Sequence, residues 1–596
     1  MSDTPNPTFV APVAPEQTAA PTSHPEGQPQ LGQHGGIDDG GPEREDEDGV
    51  EGGNDSFSGH PTTWLDVPGI GYVLDHYGDM GSFAEPDGVF PTVTYCLGFG
   101  DPEETHLAGR WRSNTCVPSE LSMMWFMNAI TDKPEWARKI HDEQILGKWR
   151  AELDRFVTKA TEVPGSTYSY PETPLKFGFR PKMWEYCIAE LKDKAKVLAQ
   201  TGAVSVFDGG AAVIKADGLV PSEVKTMLRA AAAKFEDVPD SEKDWHPNSD
   251  DRVLDLVHPS LFPLVYEKTR IVKDTPLNLS NALDAYGSGE VIALPVSEDF
   301  ESDNREFFSE HFQWLPAEVK FSARTGEVKI DSYINNAHPY EFSGITADDM
   351  SVAKNDGHEP FRLQELSGDD REGNLQVIVK LANIHLTPEK PTYDGGTWHV
   401  EGLRNESICA TALYYYDNDN VTPSTLSFRT GVDAENLRHN FRYEQGDRSA
   451  MVQLYDGHVF SAEWGATQEL GRATTVEDRL LVFPNVYQHK VSSFELVDKT
   501  KPGHRKILAL FLVDPATRII STQHVPPQQL GWASLPGVDG RLPREVASMV
   551  EEELDCPYSL DEAKEIRLEL MEERTASNEE INEGIAQEVE FNFCEH

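Results

Sequence analysis

The chain has 596 residues, 38% of them hydrophobic, with 101 acidic side chains against 52 basic ones and a formal net charge of −49 at pH 7. A surface this acidic repels phosphate backbones, and no run of Lys and Arg offsets it, so nucleic acid is excluded as an expected partner. The six cysteines (Cys96, Cys116, Cys187, Cys409, Cys556 and Cys594) form no Cys-x-x-Cys, the start lacks a secretory pattern, and no apolar stretch reaches the roughly 18 residues of a membrane span. A reducing, cytoplasmic setting is the expectation.

Residues 1–60 are rich in Pro, Gly, Asp, Glu and Gln and lack apolar periodicity. Burial cannot offset their ordering entropy, so a disordered acidic tail is expected, a candidate docking segment for a partner. From 61 to 275 the pattern is mostly helical. Ser119 is placed as the cap of a helix through Ser122–Met127. A second helix follows Pro134, with Trp136, Ile140, Trp149, Leu153 and Phe156 on one face, and a third runs from Met183 to Ala199. His246-Pro247 and His258-Pro259 lie in a loop-like stretch and read as turns with half-buried imidazoles rather than as metal ligands.

A β-rich core is placed at 276–535. Val319, Phe321 and Ala323 alternate with polar residues, Thr325-Gly326 turns, and Val328, Ile330 and Ser332 alternate again, as in a hairpin. Further strands are expected at 375–383, 408–416, 426–429, 440–443, 479–483, 489–496 and 506–514, with 340–373 as a polar insertion. Residues 536–596 read as an acidic helical extension on the surface, opened by the capping box Ser559-Leu560-Asp561-Glu562. The expected fold class is α+β, with a double-stranded β-helix, or jelly roll, as its core.

Three His-x-Glu triplets occur. His24-Pro25-Glu26 lies in the tail, and His141-Asp142-Glu143 lies in a helical run, where residues two apart diverge. His399-Val400-Glu401 lies among strands, where residues i and i+2 face the same side and can reach one metal together. A second histidine completes a facial triad that leaves three positions open on iron(II). Among His439, His458, His489, His504 and His524, the choice is His489, which follows Val482-Phe483-Pro484 and opens a strand. Arg505 begins the strand Ile507–Leu512 and can grip a carboxylate in bidentate fashion. Lys506 is its rival, on the opposite face by alternation.

Gly396-Thr397-Trp398-His399-Val400-Glu401-Gly402, Ile408–Asp417, Ser332-Tyr333-Ile334-Asn335-Asn336, Asp244-Trp245-His246-Pro247, Thr131–Trp136 and Lys501–Pro515 together resemble a fungal family named domain of unknown function 4246. The resemblance runs from about 65 to 535. Through the triad it is similar to the wider 2-oxoglutarate and iron(II) oxygenase class. Two departures stand out. The carboxylate is Glu401 where the class more often has Asp, and the polar 340–373 segment replaces an expected Pro-Leu-Trp-Asn-like stretch.

The functional expectation is therefore an oxygenase with Fe(II) on His399, Glu401 and His489. The cosubstrate 2-oxoglutarate is held by Arg505, with Tyr414 and Asn383 as further cofactor-binding candidates. Tyr333, Asn335 and Trp398 are pocket candidates. The substrate, a small molecule or a protein side chain, is not named by the residues. Two alternatives stand beside this reading: a cupin-like metal enzyme that does not use 2-oxoglutarate, and a non-catalytic scaffold.

Overall fold

The computed structural model describes residues 115–162, 179–209, 211–294, 308–322, 328–337, 372–431, 467–515, 518–532, 546 and 557–587. The N-terminal tail, residues 340–371 of the expected 340–373 insertion, the Thr325-Gly326 turn and the strand expected at 440–443 lie outside them; the last two residues of that insertion open a strand. Among the described residues, no helix is long and apolar enough to cross a membrane.

Helix α1 (Pro118–Thr131) starts one residue before the expected cap. Pro118 takes the first helical position, where its missing N–H costs nothing, and the Glu120 carboxylate accepts the Val117 N–H at 2.7 Å. Ser119 is therefore inside the helix. The expected second helix is broken in two: a single turn, α2 (Trp136–Lys139), and α3 (Glu143–Glu162). The break has a local cause. The Asp142 carboxylate accepts the N–H groups of Gln144 and Ile145, capping α3 and making His141-Asp142-Glu143 a helix entrance. Helix α4 (Pro181–Thr201) packs Trp184, Ile188 and Leu191 against Phe126, Ile140, Trp149 and Leu153. Phe156, expected on the same face, is 39% exposed, and its neighbour Val157 packs against the cluster instead.

The helical region also contributes strands. β1 (Val204–Val206), β2 (Val213–Asp217) and, after helix α5 (Ser222–Glu236), β3 (Val253–Val257) all join the large sheet. Two short ribbons follow, β4 (Leu264–Val265) with β7 (Phe312–Gln313), and β5 (Arg270–Ile271) with β6 (Glu290–Val291). The expected hairpin is β8 (Ala317–Ser322) and β9 (Val328–Ile330), in register Val319↔Ile330. Then come β10 (Glu372–Leu386), β11 (Thr392–Tyr393), β12 (Ile408–Asp419), β13 (Ser424–Gly431), β14 (Thr467–Thr475), β15 (Arg479–Pro484), β16 (Gln488–Val491), β17 (Phe494–Glu495) and β18 (Gly503–Val513).

The large sheet runs β1-β2-β15-β12-β18-β10-β8-β9, with β3 on the same edge of β10 as β8. A smaller sheet, β14-β13-β16, faces it, and β11 pairs with β17. Ile378, Leu413, Tyr415, Leu481, Phe483, Ala509 and Phe511 from the large sheet pack with Leu426, Phe428, Leu470 and Ala473 from the small one. Each fully buried Leu or Phe contributes about 1.5–3 kcal/mol. The opposite face of the large sheet, with Leu381, Tyr414, Tyr416 and Leu508, is covered by α5 through Ala232, Leu228 and Phe235.

The last helix, α6 (Leu560–Gln587), opens with the expected capping box, Ser559 and Glu562 each receiving the other's N–H. It is not a surface appendage. Ala563, Arg567 and Leu570 are buried against the body.

The N-terminal helices are locked to the sheets by charge. Asp132 accepts from buried Lys215 at 2.6 Å and from buried Arg479 at 2.7 Å. Removing one partner of such a network strands the others. Asp132→Ala is expected to lower unfolding free energy by about 3–5 kcal/mol in urea denaturation. A loss under about 1 kcal/mol would show that the network does not lock the domains.

Candidate metal centre

The segment before the site is shaped by close backbone approach. Gly395 has φ +95°, and a Cβ there would lie 2.7 Å from the Val491 carbonyl oxygen, so only glycine lets this segment meet β16. Two residues of the meeting segments pair directly. His399 N–H donates to the His489 carbonyl at 3.2 Å and His489 N–H donates back at 2.9 Å. The imidazole centroids are 4.3 Å apart.

Glu401 is held from the side. Its N–H donates to Asn485 Oδ1 at 2.9 Å and its carbonyl accepts from Asn485 Nδ2 at 2.7 Å, so the Phe483-Pro484-Asn485 turn clamps the carboxylate's own backbone. Glu401 Oε1 lies 3.4 Å from His489 Nε2 and 3.8 Å from His399 Nε2. The ligand atoms of all three residues fall within 4.8 Å of one another.

The protonation states suit a cation. His399 Nδ1 lies 2.8 Å from the Thr397 carbonyl, which can only accept; Nδ1 therefore keeps the proton and Nε2 keeps its lone pair. Burial, with His489 beside it, pushes His399 down to about 4. Burial alone would raise Glu401, but the His489 and His399 imidazoles beside it hold it at about 2. Two imidazoles and one carboxylate are the donor set of a first-row divalent metal. The positive side chain whose field reaches both His399 and Glu401 is Lys380.

Arg505 lies on the same sheet face as Ile507 and Ala509 and is 1% exposed. None of its three guanidinium nitrogens makes a hydrogen bond. Its plane lies 4.6 Å from the Tyr415 ring and 5.3 Å from Phe494. Burial lowers its pKa, and Tyr415 pulls it back up without the alignment of a hydrogen bond. Lys506 points the other way and pairs with Glu236 of α5 at 2.7 Å.

Tyr414 and Asn383 are not gathered at this site. Alternation places both on the α5 side, where the Tyr414 hydroxyl donates to Asp478 and Asn383 bridges Glu236 and Tyr416. Tyr333 and Asn335 tie loops, donating to the Val525 carbonyl and to those of Leu261 and Phe262. Trp398 stays near the triad, its ring under Arg429 at 4.7 Å. Of the other histidines weighed, His439 and His458 lie outside the described residues, and His504 pairs with Asp417.

A second cluster, His246, Asp255 and His258, also brings ligand atoms within 4.8 Å. Its chemistry is less suited to a metal. His258 Nδ1 accepts the Ser260 N–H, which leaves its proton on Nε2 and no free lone pair. Asp255 Oδ2 already accepts from His246 Nδ1 at 2.8 Å, and Arg567 lies 3.5 Å away. The reading of His246 and His258 as turn histidines misses this network, because Asp255 comes from β3 in a stretch read as loop.

Helix α6 crosses the same region, which composition alone did not suggest. Arg567 makes a two-pronged pair with Asp244, and Arg574 pairs with buried Glu406 and stacks on Trp314 at 3.7 Å. Asn582 Oδ1 accepts from Arg429 and Gln488, and its Nδ2 donates to the Trp398 carbonyl. One side chain thus joins the residue before His399 to the residue before His489. Asn582→Ala is expected to weaken Co(II) binding about 10–100-fold, as loss of outer supports does, in a metal titration of the full chain. Unchanged affinity would mean that the backbone pairing holds the histidines unaided.

The chain matches the family described as "Protein of unknown function (DUF4246)" over residues 181–348 and 345–535, and "Domain of unknown function DUF4246, N-terminal" over 67–152. No curated protein matches it. Solved structures that the chain matches include IDO from Bacillus thuringiensis, 9% identical, with 54% of this chain and 94% of that chain covered at a TM-score of 0.21. The Fe(II)/(alpha)ketoglutarate-dependent dioxygenase TqaL is 15% identical, with 34% and 66% covered at 0.17. EvdO2 from Micromonospora carbonacea var. aurantiaca, complexed with 2-oxoglutarate, is 9% identical, with 23% and 54% covered at 0.12.

Proposed function

The chain belongs to the family described as protein of unknown function (DUF4246), and from that premise we propose that it is a non-haem Fe(II)- and 2-oxoglutarate-dependent oxygenase that oxidises a C–H bond of its substrate. One observation carries the reading: a metal-ready His-Glu-His set in the same β core as a buried guanidinium with no hydrogen-bond acceptor. A bare buried Arg is costly, and a ligand carboxylate relieves the cost. That favours 2-oxoglutarate over a cupin-like metal enzyme without it, and over a scaffold.

Successive strands from β10 to β18 pass back and forth between the large sheet and the smaller ones, which supports reading the core as a jelly roll. His399, Glu401 and His489 would hold the iron through Nε2, a carboxylate oxygen and Nε2. When bound, the metal supplies the coupling of dioxygen reduction to 2-oxoglutarate decarboxylation and substrate oxidation. The residues do the rest. Glu401 neutralises one of the two positive charges, and the Thr397 carbonyl keeps the His399 lone pair on Nε2. Arg505 would take the distal carboxylate of the cosubstrate, with Tyr415 and Phe494 shielding the guanidinium from water.

Purified protein with Fe(II), ascorbate, oxygen and 2-oxoglutarate is expected to form succinate, and His399→Ala to form none. Arg505→Met is expected to weaken 2-oxoglutarate binding at least about tenfold, the loss of a charge-assisted pair. Turnover and metal binding untouched in Arg505→Met would favour the cupin-like reading. Absence of both Fe(II) and 2-oxoglutarate binding in the wild type would favour the scaffold.

A further inference from the structure

A second cation faces the interior, and no part of the proposed cosubstrate chemistry uses it. Lys380 lies on β10 directly opposite Ala509 of β18, and directly opposed residues share a face. Ala509 and Ile378, two residues before Lys380, both belong to the core between the sheets, so the Lys380 side chain points inward. Among the described residues its ammonium makes no ion pair or hydrogen bond. That is unusual in a chain with 101 acidic side chains to 52 basic ones.

An orphan acceptor stands beside this orphan donor. Asp255 of β3 is opposite Ala382, the next inward residue of β10, which places it diagonally across from Lys380, roughly 7–8 Å away between backbones. Asp255 is 3% exposed, and its Oδ1 has no hydrogen-bond partner, while Oδ2 is taken by His246. The two side chains do not pair with each other.

The remaining charges cancel. Arg567 forks onto Asp244 and also lies 3.5 Å from Asp255 Oδ2, so these contacts leave Asp255 Oδ1 free; His258 is neutral by its Ser260 hydrogen bond and its deep burial, and Glu401 belongs to the metal set. What is left over is the Lys380 ammonium and the Oδ1 side of the Asp255 carboxylate, which do not pair with each other. The ligand that complements both is a small zwitterion carrying a carboxylate and a protonated amine.

We propose that Lys380 and Asp255 form the substrate-anchoring pair beside the metal centre, and that the substrate is an α-amino acid or a small derivative that keeps both charged groups. Lys380 takes the carboxylate and Asp255 Oδ1 takes the ammonium, with His246 Nδ1 holding the Asp255 carboxylate in place. The assignment of this ligand as substrate rests on the oxygenase reading. Arg505 sits four residues along β18 from Ala509, about 13 Å of strand, so the two cations serve separate carboxylates.

The test is binding of the proteinogenic α-amino acids to the full chain, by calorimetry, each beside its decarboxylated amine and its deaminated acid. At least one amino acid is expected to bind, with both truncated analogues weaker by about tenfold to a hundredfold, since each strands one charged group. Lys380→Met and Asp255→Asn are each expected to weaken that amino acid by a similar factor, and Lys380→Arg to restore part of it. Arg505→Met is expected to retain it. No binding of any amino acid, equal binding of the deaminated acid, or loss in Arg505→Met but not in Lys380→Met would each overturn the proposal. Failure of wild-type 2-oxoglutarate binding would instead strike the oxygenase reading and leave the amino-acid result to stand or fall by itself.

Discussion

Strand β18 runs between β10 and β12, and the register of those two pairings decides which side chains share the interior. Because side chains alternate, one residue of slip would turn Arg505 toward α5 and bring Lys506 inside. The pairing Lys380↔Ala509 and the near-continuous ladder of β12 on β18 prevent that slip. Apolar matching enforces it. Ala509, Phe511 and Val513 fill the space between the sheets, while Leu508 meets Tyr414 and Leu381 under α5. The charged residues of the site therefore keep their orientation through their apolar neighbours.

The triad depends on a second constraint, the short antiparallel contact of His399 with His489. Few residues of regular structure support this contact, so the protein builds it from outside. Gly395 permits the approach, Asn485 clamps Glu401, and Asn582 of α6 ties both flanks. Rigidity of a metal site made this way comes from hydrogen bonds around the ligands rather than from the ligands. Helix α6 lies beyond the family match, which ends at residue 535. The part of the chain that buttresses the centre thus includes a segment that the family description does not cover.

The same helix connects the two polar clusters. Arg567 stands at Asp244 and Asp255, and Asn582, four turns later, stands at the triad. The helix is strongly acidic in composition yet turns its arginines and asparagines inward. Its buried side is small and local: Ala563, Arg567 and Leu570. An arginine buried against a carboxylate adds direction to the packing, since removing either partner leaves a charge uncompensated.

Local pattern determined much of this protein. The alternation of 375–383, 408–416 and 506–514 specified strands, because a period of two has one structural meaning when the apolar residues are β-branched or aromatic. His-x-Glu in an extended segment, Phe-Pro before a histidine and an arginine opening the last strand were legible for the same reason: each is a local geometry. The capping box at Ser559 was legible too. Tertiary structure alone decided what depends on pairing between distant segments. Asn383 and Tyr414 fall on the far face because α5 covers that side. Asp255 meets His246 because residues 244–246 fold back antiparallel on β3, with Trp245 bridged to Leu254, a pairing that no local period encodes. Lys380 reads in the sequence as one polar residue in an alternating strand. Only the closing of the two sheets makes it an interior cation, since inside and outside exist only once a second sheet is present.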